Sequence, residues 1–486
     1  MSTTKQVSHG FLFCILFTVG CLTNASAQSL EERVKALEQQ NKKLAEQNHR
    51  IETQSTQILQ RLLESEKRNT QLATRLSKAE EHSDGRSDLI LEAIGAMAND
   101  TGGGAGGYSA GPISRSGFGL QFYGTIRFEA SYSDSRFNRA IDPQWVRNED
   151  GIFADDDDDQ FSMNARRSTL GLNADLGRVG DALVRGKLEF DFAGFDDNEP
   201  ENRAHVRLLL AYVDFQIGAI SLRFGQDWDI LAPLDPVVDN QRHLWDTGNL
   251  GDRRPLAQAF YTGGSRSGIG YSIGVALGMS GAVDNSDADT GFGSFLTTER
   301  DGIDSGQPHV QIAANVEVDS WVRGERIRLG VSGAWGRLET DTKFNGEDHF
   351  TTWALSFDLI LPVFAGAHIK AEGFMGQALA DFRGGISQSL NLTEGREIDS
   401  VGGFAEFFWQ VDDFFGWGFG GSIDNPDFDD LDLAMRASNW TLYFATRFNW
   451  GKGVSSGLDV IFWKTQYADR EDGDALRINA FVELTF

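Results

Sequence analysis

The last eleven residues alternate without a break: Leu476, Ile478, Ala480, Val482, Leu484 and Phe486 fall on one face, and Arg477, Asn479, Phe481, Glu483 and Thr485 on the other. A β-strand with one apolar and one polar face, ending on an aromatic residue, fits a strand that crosses a bilayer. Lipid offers no partner to an unpaired backbone N–H or C=O, so such a strand is stable there only inside a closed barrel. Taken alone it fits a strand of a soluble sandwich as well, and the rest of the chain has to decide.

Residues 1–27 read as a cleaved secretory signal, with Lys5 near the start, an apolar core from Phe11 to Leu22 and the small-x-small triplet Ala25-Ser26-Ala27. Both cysteines, Cys14 and Cys21, lie inside it, so the mature chain has no thiol for a disulfide, a metal or a nucleophile. Acylation at Cys21 would require an aliphatic residue three positions earlier, where Thr18 stands. No later run approaches the roughly 18 consecutive apolar residues of a membrane helix, but barrel strands hide their hydrophobicity by alternation. The 55 glycines, 35 phenylalanines and 11 tryptophans, against 9 prolines, suit barrel strands and interfacial belts. A net charge of -27 argues against nucleic acid as a partner.

The chain divides into pieces. Over residues 28–86 a heptad places Leu30, Leu37, Leu44, Ile51, Ile58 and Leu72 at one seam position and Val34, Leu62 and Leu76 at the other. Asn41, Asn48 and Asn69 fall on the second seam position, where buried amides fix register and strand number. This predicts an α-helical coiled coil, of two or three helices, forming a rod about 75 Å long on the periplasmic side. Residues 87–117 follow as a short helix and a Gly/Ser-rich tether.

Residues 118–486 hold about sixteen strand-like segments. Leu120, Phe122, Ile126 and Phe128 alternate with Gln121, Tyr123, Thr125, Arg127 and Glu129, and Val310, Ile312, Ala314 and Val316 with Gln311, Asn315 and Glu317. Short connections, such as Gly218 and Gly451 to Gly453, alternate with long ones at 137–159, 195–202, 226–254, 279–307, 338–348, 381–395, 425–434 and 468–474. Tight periplasmic turns and long outside loops are how outer-membrane barrels are built. The expected fold is therefore an all-β transmembrane barrel of about sixteen antiparallel strands, preceded by an N-terminal coiled coil. Its polar inner faces imply a wet lumen.

The heptads, FYGTIRFEASY at 122–132, RRSTLGLNADLG at 166–177, KLEFDFAG at 187–194, LLLAYVDF at 208–215, FGQDWDIL at 224–231 and the terminal Phe486 together resemble a trimeric outer-membrane porin of the DcaP-like group. The resemblance implies a homotrimer in the outer membrane of a Gram-negative-type envelope, passing small hydrophilic, often anionic solutes. Phosphate-selective porins share the plan.

In porins of similar plan the third outside loop narrows the lumen, which makes 226–254 the expected constriction. It carries Asp227, Asp229, Asp235, Asp239, Asp246 and Asp252 beside Arg242, His243, Arg253 and Arg254, with Pro233 and Pro236 to stiffen it. Alternation aims Arg127, Arg167, Arg185, Lys187 and Arg223 into the lumen as a basic ladder, unless they only pair with carboxylates such as Glu189 and Asp191 on the same face. The barrel region has 58 acidic and 31 basic residues, which biases the entrance toward cations unless the acids sit mainly outside. The run Asp155, Asp156, Asp157, Asp158 and Asp159 is the one candidate for Ca²⁺ or Mg²⁺, bridging lipopolysaccharide phosphates, or is a solvated loop tip. No cofactor is expected. The histidines are scattered and no HExxH occurs, so no catalytic residue and no enzymatic activity is expected. A rival reading makes the chain an envelope tether or adhesin, with the coiled coil gripping peptidoglycan.

Overall fold

The computed structural model describes residues 119–139, 141–148, 159–194, 203–239, 243–265, 268–280 and 305–486, together with the single position Lys42. Apart from Lys42, the expected signal segment, coiled coil and tether lie outside the described residues, as do Arg242 and Asp155 to Asp158.

The first strand, Gly119–Ser133, pairs antiparallel with the last, Gly473–Thr485, from Thr125 opposite Thr485 to Ser133 opposite Arg477. The sheet therefore closes on itself and leaves no edge, the condition a bilayer imposes. Between these two come, in chain order, Gln160–Asn164 with Thr169–Val179, then Ala182–Gly194, His205–Ile217, Ile220–Trp228, Arg253–Gly264, Gly270–Gly278, His309–Asp319, Arg326–Phe344, Glu347–Phe364, Ala367–Gln377, Asp399–Gln410, Phe415–Pro426, Arg436–Gly451 and Val454–Tyr467. Gln160–Asn164 and Thr169–Val179 pair with opposite halves of the first strand, so they are one interrupted strand. The barrel has sixteen strands, all antiparallel.

Alternation sets the two faces. Phe122 is 76 % exposed on the outside while Arg127 is 9 % exposed within. That is the reverse of a soluble protein, and the continuous apolar outer belt is what lipid would cover. Aromatic rings gather beside the short turns, with Phe364 and Trp409 at 5.4 Å, Trp409 and Trp417 at 6.2 Å, and Phe414 and Trp450 at 5.0 Å between centroids. Such a girdle marks one membrane–water boundary.

One connection is much shorter than expected. Residues 338–348 form no long loop; Arg326–Phe344 and Glu347–Phe364 run on to a two-residue turn at Asn345 and Gly346, with φ of 50° and 94°. Asn-Gly provides the positive φ at both positions that a tight hairpin requires, so the polar residues here lengthen two strands.

The apolar core lies inside the ring, where inserted segments meet the wall. Leu231, Leu250, Leu379 and Phe382 pack against Ala334, Ala354 and Phe374 of the strands. Phe137, Val146, Leu234, Val238 and Leu244 gather against Tyr443, Ile461 and Trp463.

Candidate functional site

After the strand Ile220–Trp228 the chain turns into the barrel and follows its inner wall. The backbone N–H groups of Ile230 and Leu231 donate to Gln311 Oε1 at 2.7 and 3.3 Å, and that of Ala232 to Ser332 Oγ at 3.0 Å. Leu234 N–H donates to Glu372 Oε2 (3.0 Å), Val237 N–H to Glu406 Oε2 (2.7 Å) and Asp239 N–H to Asp459 Oδ2 (2.6 Å). Pro233 and Pro236, which have no N–H to satisfy, take positions between these anchors. The Asp239 carbonyl accepts from Asn479 at 3.0 Å, which brings the segment back to the seam between last and first strands.

There the Asp239 carboxylate meets Arg127 and, at 2.7 Å, Arg167. Arg127 also holds Glu483 at 2.7 Å and Glu129 at 2.5 Å. Arg167 reaches Asp239 because it sits in the interruption of the second strand, whose Ser168 Oγ accepts the N–H of Arg127 at 3.0 Å. Burial alone would raise the Asp239 carboxyl, but Arg167, Arg127 and Arg447 outweigh it and hold it well below the usual carboxylate range.

The returning limb is strained. His243, Leu244 and Asp246 have φ of 53°, 60° and 64°, a region bulky residues rarely adopt. Asn249 Nδ2 donates to the carbonyls of His243 (2.9 Å) and Leu234 (3.2 Å), and the His243 ring lies 5.7 Å from Trp228 and 5.4 Å from Trp245. The Arg253 guanidinium covers Trp228 at 4.8 Å.

This leaves two open spaces. A cavity of about 230 Å³ is lined by Thr125, Arg127, Arg167, Arg207, Trp228, His243 and Arg253, among others. One of about 580 Å³ lies toward the short turns, against Asp235, Val237, Arg447 and Ser455. Arg127, Arg167, His243 and Glu483 line both, so the spaces meet at those side chains.

Among solved structures, the outer-membrane channel DcaP of Acinetobacter baumannii matches with a TM-score of 0.61 at 15% sequence identity, over 78% of this chain and 100% of that one. The chain has the fold of the DcaP channel. In-vitro folded OmpT of Vibrio cholerae matches at TM-score 0.48 and 10% identity, over 78% of this chain and 100% of that one. OprB of Pseudomonas putida, in its high-pH structure, matches at 0.44 and 12%, over 75% and 94%. No protein-family model and no curated protein matches the sequence.

Within this DcaP-type barrel the residues singled out by sequence fall into three groups. Asp239, His243, Arg253, Arg127 and Arg167 stand where the two spaces meet or beside them, and Asp235 projects into the larger one, 3.3 Å from His243. Lys187 and Arg223 face the lumen in ion pairs, Lys187 with Glu189 at 3.4 Å and Arg223 with Asp214 and Asp227 at 3.3 and 2.5 Å. Arg185 is exposed near a short turn. The third group departs from expectation: Asp229, Asp246 and Asp252 of the inserted segment and Arg254 of the strand Arg253–Gly264 are buried rather than facing the channel, because they tie the segments together. Asp227 belongs to the strand Ile220–Trp228, and Arg253 and Arg254 to Arg253–Gly264, rather than to the loop. Asp159 is exposed, and the described residues contain no group of three or more His, Cys, Asp or Glu side chains able to hold a metal.

Three basic residues of the lumen, Arg207, Arg383 and Arg447, carry no sequence signal stronger than their parity or position. Arg207 is held by both oxygens of Asp191, at 3.1 and 2.6 Å, and Arg447 by Asp459 at 2.5 Å. Arg383 lies in the loop after Ala367–Gln377, which also enters the barrel and was expected outside.

Proposed function

We propose that the protein is an outer-membrane porin, a water-filled channel for passive diffusion of small hydrophilic solutes, with a preference for anions of the dicarboxylate type. The observation that carries the preference is which partner of each lumen ion pair meets water. The Arg207 side chain is 38% exposed and that of Asp191 4%; Arg447 is 21% exposed and Asp459 1%; Lys370 is 18% exposed and Glu406 0%. In these three pairs the carboxylate is spent on holding its cation, and the cation forms the surface. Arg127, enclosed by Glu129, Asp239 and Glu483, and Asp235, more exposed than its partner His243, run the other way. A solute in the lumen thus meets positive groups although the chain is acidic as a whole.

The reading includes a homotrimer whose coiled coils lie in the periplasm. Its test is single-channel recording of the purified mature protein in a planar bilayer under a salt gradient. Closure in three steps, with a reversal potential that favours anions, is the expected result. Three steps with cation preference would keep the channel and discard the anion reading, and silence would favour the envelope tether.

A further inference from the structure

We infer that the segment 378–398 is a second constriction element, and that Asp381 is the positioning residue that fixes the channel rim through Arg254. The inference rests on the porin reading for its consequence, though not for its geometry.

The segment enters the barrel between Ala367–Gln377 and Asp399–Gln410 and begins with the short 3₁₀ turn Leu379–Phe382, all four residues of which are buried. Asp381 Oδ2 accepts from Arg254 Nη1 at 2.9 Å, and its carbonyl accepts from Nη2 at 2.6 Å. The same guanidinium grips both carboxylate oxygens of Asp229 at 2.8 Å and lies over the Phe382 ring at 4.9 Å. Arg254 is fully buried, so its charge depends on two carboxylates from two separate inserted segments. Asp229 directly follows Trp228 and Arg254 directly follows Arg253, the two residues that put an indole and a guanidinium on the rim.

A second tie repeats the arrangement. Arg383 Nη2 pairs with Asp252 at 2.7 Å, and its guanidinium lies 5.0 Å from the Trp245 ring. Gly251 N–H donates to the Phe382 carbonyl at 2.8 Å, and Asp246 N–H to that of Arg383 at 2.9 Å. The strained returning limb that carries His243 therefore rests on the second segment. The wall does not need these ties, since Ala367–Gln377 and Asp399–Gln410 pair without interruption from Ala367 opposite Trp409 to Gln377 opposite Asp399. What the clamp holds is the position of one lumen segment against the other.

The test compares wild type with Asp381→Asn, Asp381→Glu and Arg383→Gln by two readouts: bilayer recording, and amide exchange of peptides spanning 243–252. Barrel folding is checked by the heat-dependent gel mobility of each protein. Asp381→Asn is expected to exchange faster over 243–252, to raise conductance about twofold and to weaken ion selectivity, with Asp381→Glu restoring most of both. Arg383→Gln, at a partly exposed site, gives a smaller change of the same sign and serves if Asp381→Asn fails to fold. Folded variants with wild-type exchange and wild-type conductance overturn the inference. Faster exchange with unchanged conductance keeps the clamp and overturns its role in the channel. A silent wild type defeats the porin reading and with it the constriction role, while exchange still decides the clamp.

Discussion

Two sectors of the inner wall carry the same kinds of residue and use them differently. Along Ala367–Gln377, Asp399–Gln410 and Val454–Tyr467, the carboxylates of Glu372, Glu406 and Asp459 accept backbone N–H groups of the inserted segment and are covered by it. Along Ala182–Gly194, His205–Ile217 and Ile220–Trp228, Asp191 and Asp214 instead hold Arg207 and Arg223. A neutral N–H ends the chain of contacts in a buried backbone, whereas a guanidinium carries it back out to water. The first sector is mainly scaffold, though Lys370 and Arg447, the partners of Glu406 and Asp459, reach water, and the second is channel surface. The difference teaches that a count of acidic residues says little about the field along the path, because each buried carboxylate is cancelled or hidden by what it binds.

The most disruptive break of the covered sector is Asp459→Ala. It leaves the Asp239 N–H without an acceptor and Arg447, which Asp459 holds at 2.5 Å, without its carboxylate. Breaking a buried pair costs about 3–5 kcal/mol if the charge stays buried, enough to detach the segment locally. Single-channel records should show higher and noisier conductance. Conductance equal to wild type in a folded variant would mean that the covered sector does not set the width of the channel.

The bare sector is tested by Arg207→Gln, which removes its most exposed paired cation. The anion-to-cation permeability ratio should fall about two- to threefold with little change in conductance. A ratio that does not move would detach selectivity from this wall.

Acid should spare the junction of the sectors until late. The Asp239 carboxyl, held below its ordinary value by Arg167, Arg127 and Arg447 against the effect of burial, contributes stability that is complete above the unfolded-chain pKa of about 3.9 and is lost as pH falls through the depressed folded value. Conductance limited by this tie is expected to hold from neutral pH down to about pH 4; a transition through Asp239 near pH 5 to 6, abolished by Asp239→Asn, would contradict the assigned pairing.

The barrel was legible in the sequence because strand alternation is local. Each of Leu120, Phe122, Ile126 and Phe128 declares its face by its neighbours, and the closure follows from what lipid forbids. The turn at Asn345 and Gly346 was misjudged because a run of polar residues reads as loop, while the two-residue hairpin signal inside it sets the actual path. The inward path of 229–252 was expected by resemblance, yet its anchors were not readable: that Glu372 would meet the N–H of Leu234, 138 residues away, is a tertiary fact. The same limit hid the buried role of Arg254, whose sequence neighbours look like any charged loop, and the whole inward segment 378–398. Parity tells which way a side chain leaves the wall and is silent on which of two paired charges ends up at the water.

Arg185 offers the smallest and sharpest contrast. It shares the inward parity of Lys187 and stands opposite Asp175 and Asp214 in the ladder, but it is exposed and makes no ion pair among the described residues. Arg223, two strands away on the same wall, is fixed by Asp214 and Asp227 and lies 4.1 Å over the Tyr212 ring. If pairing is what turns a lumen cation into a selectivity element, Arg223→Glu should shift the reversal potential clearly. Arg185→Glu should then shift it by a small fraction of that, because a free side chain in water is screened within a Debye length of about 10 Å at 0.1 M salt. Raising the salt to 1 M shortens that length to about 3 Å and should erase the Arg185 effect while leaving part of the Arg223 effect. Equal shifts at both positions and both salt concentrations would mean that the bare sector acts as a diffuse positive field, and that the carboxylates behind its cations matter for folding alone.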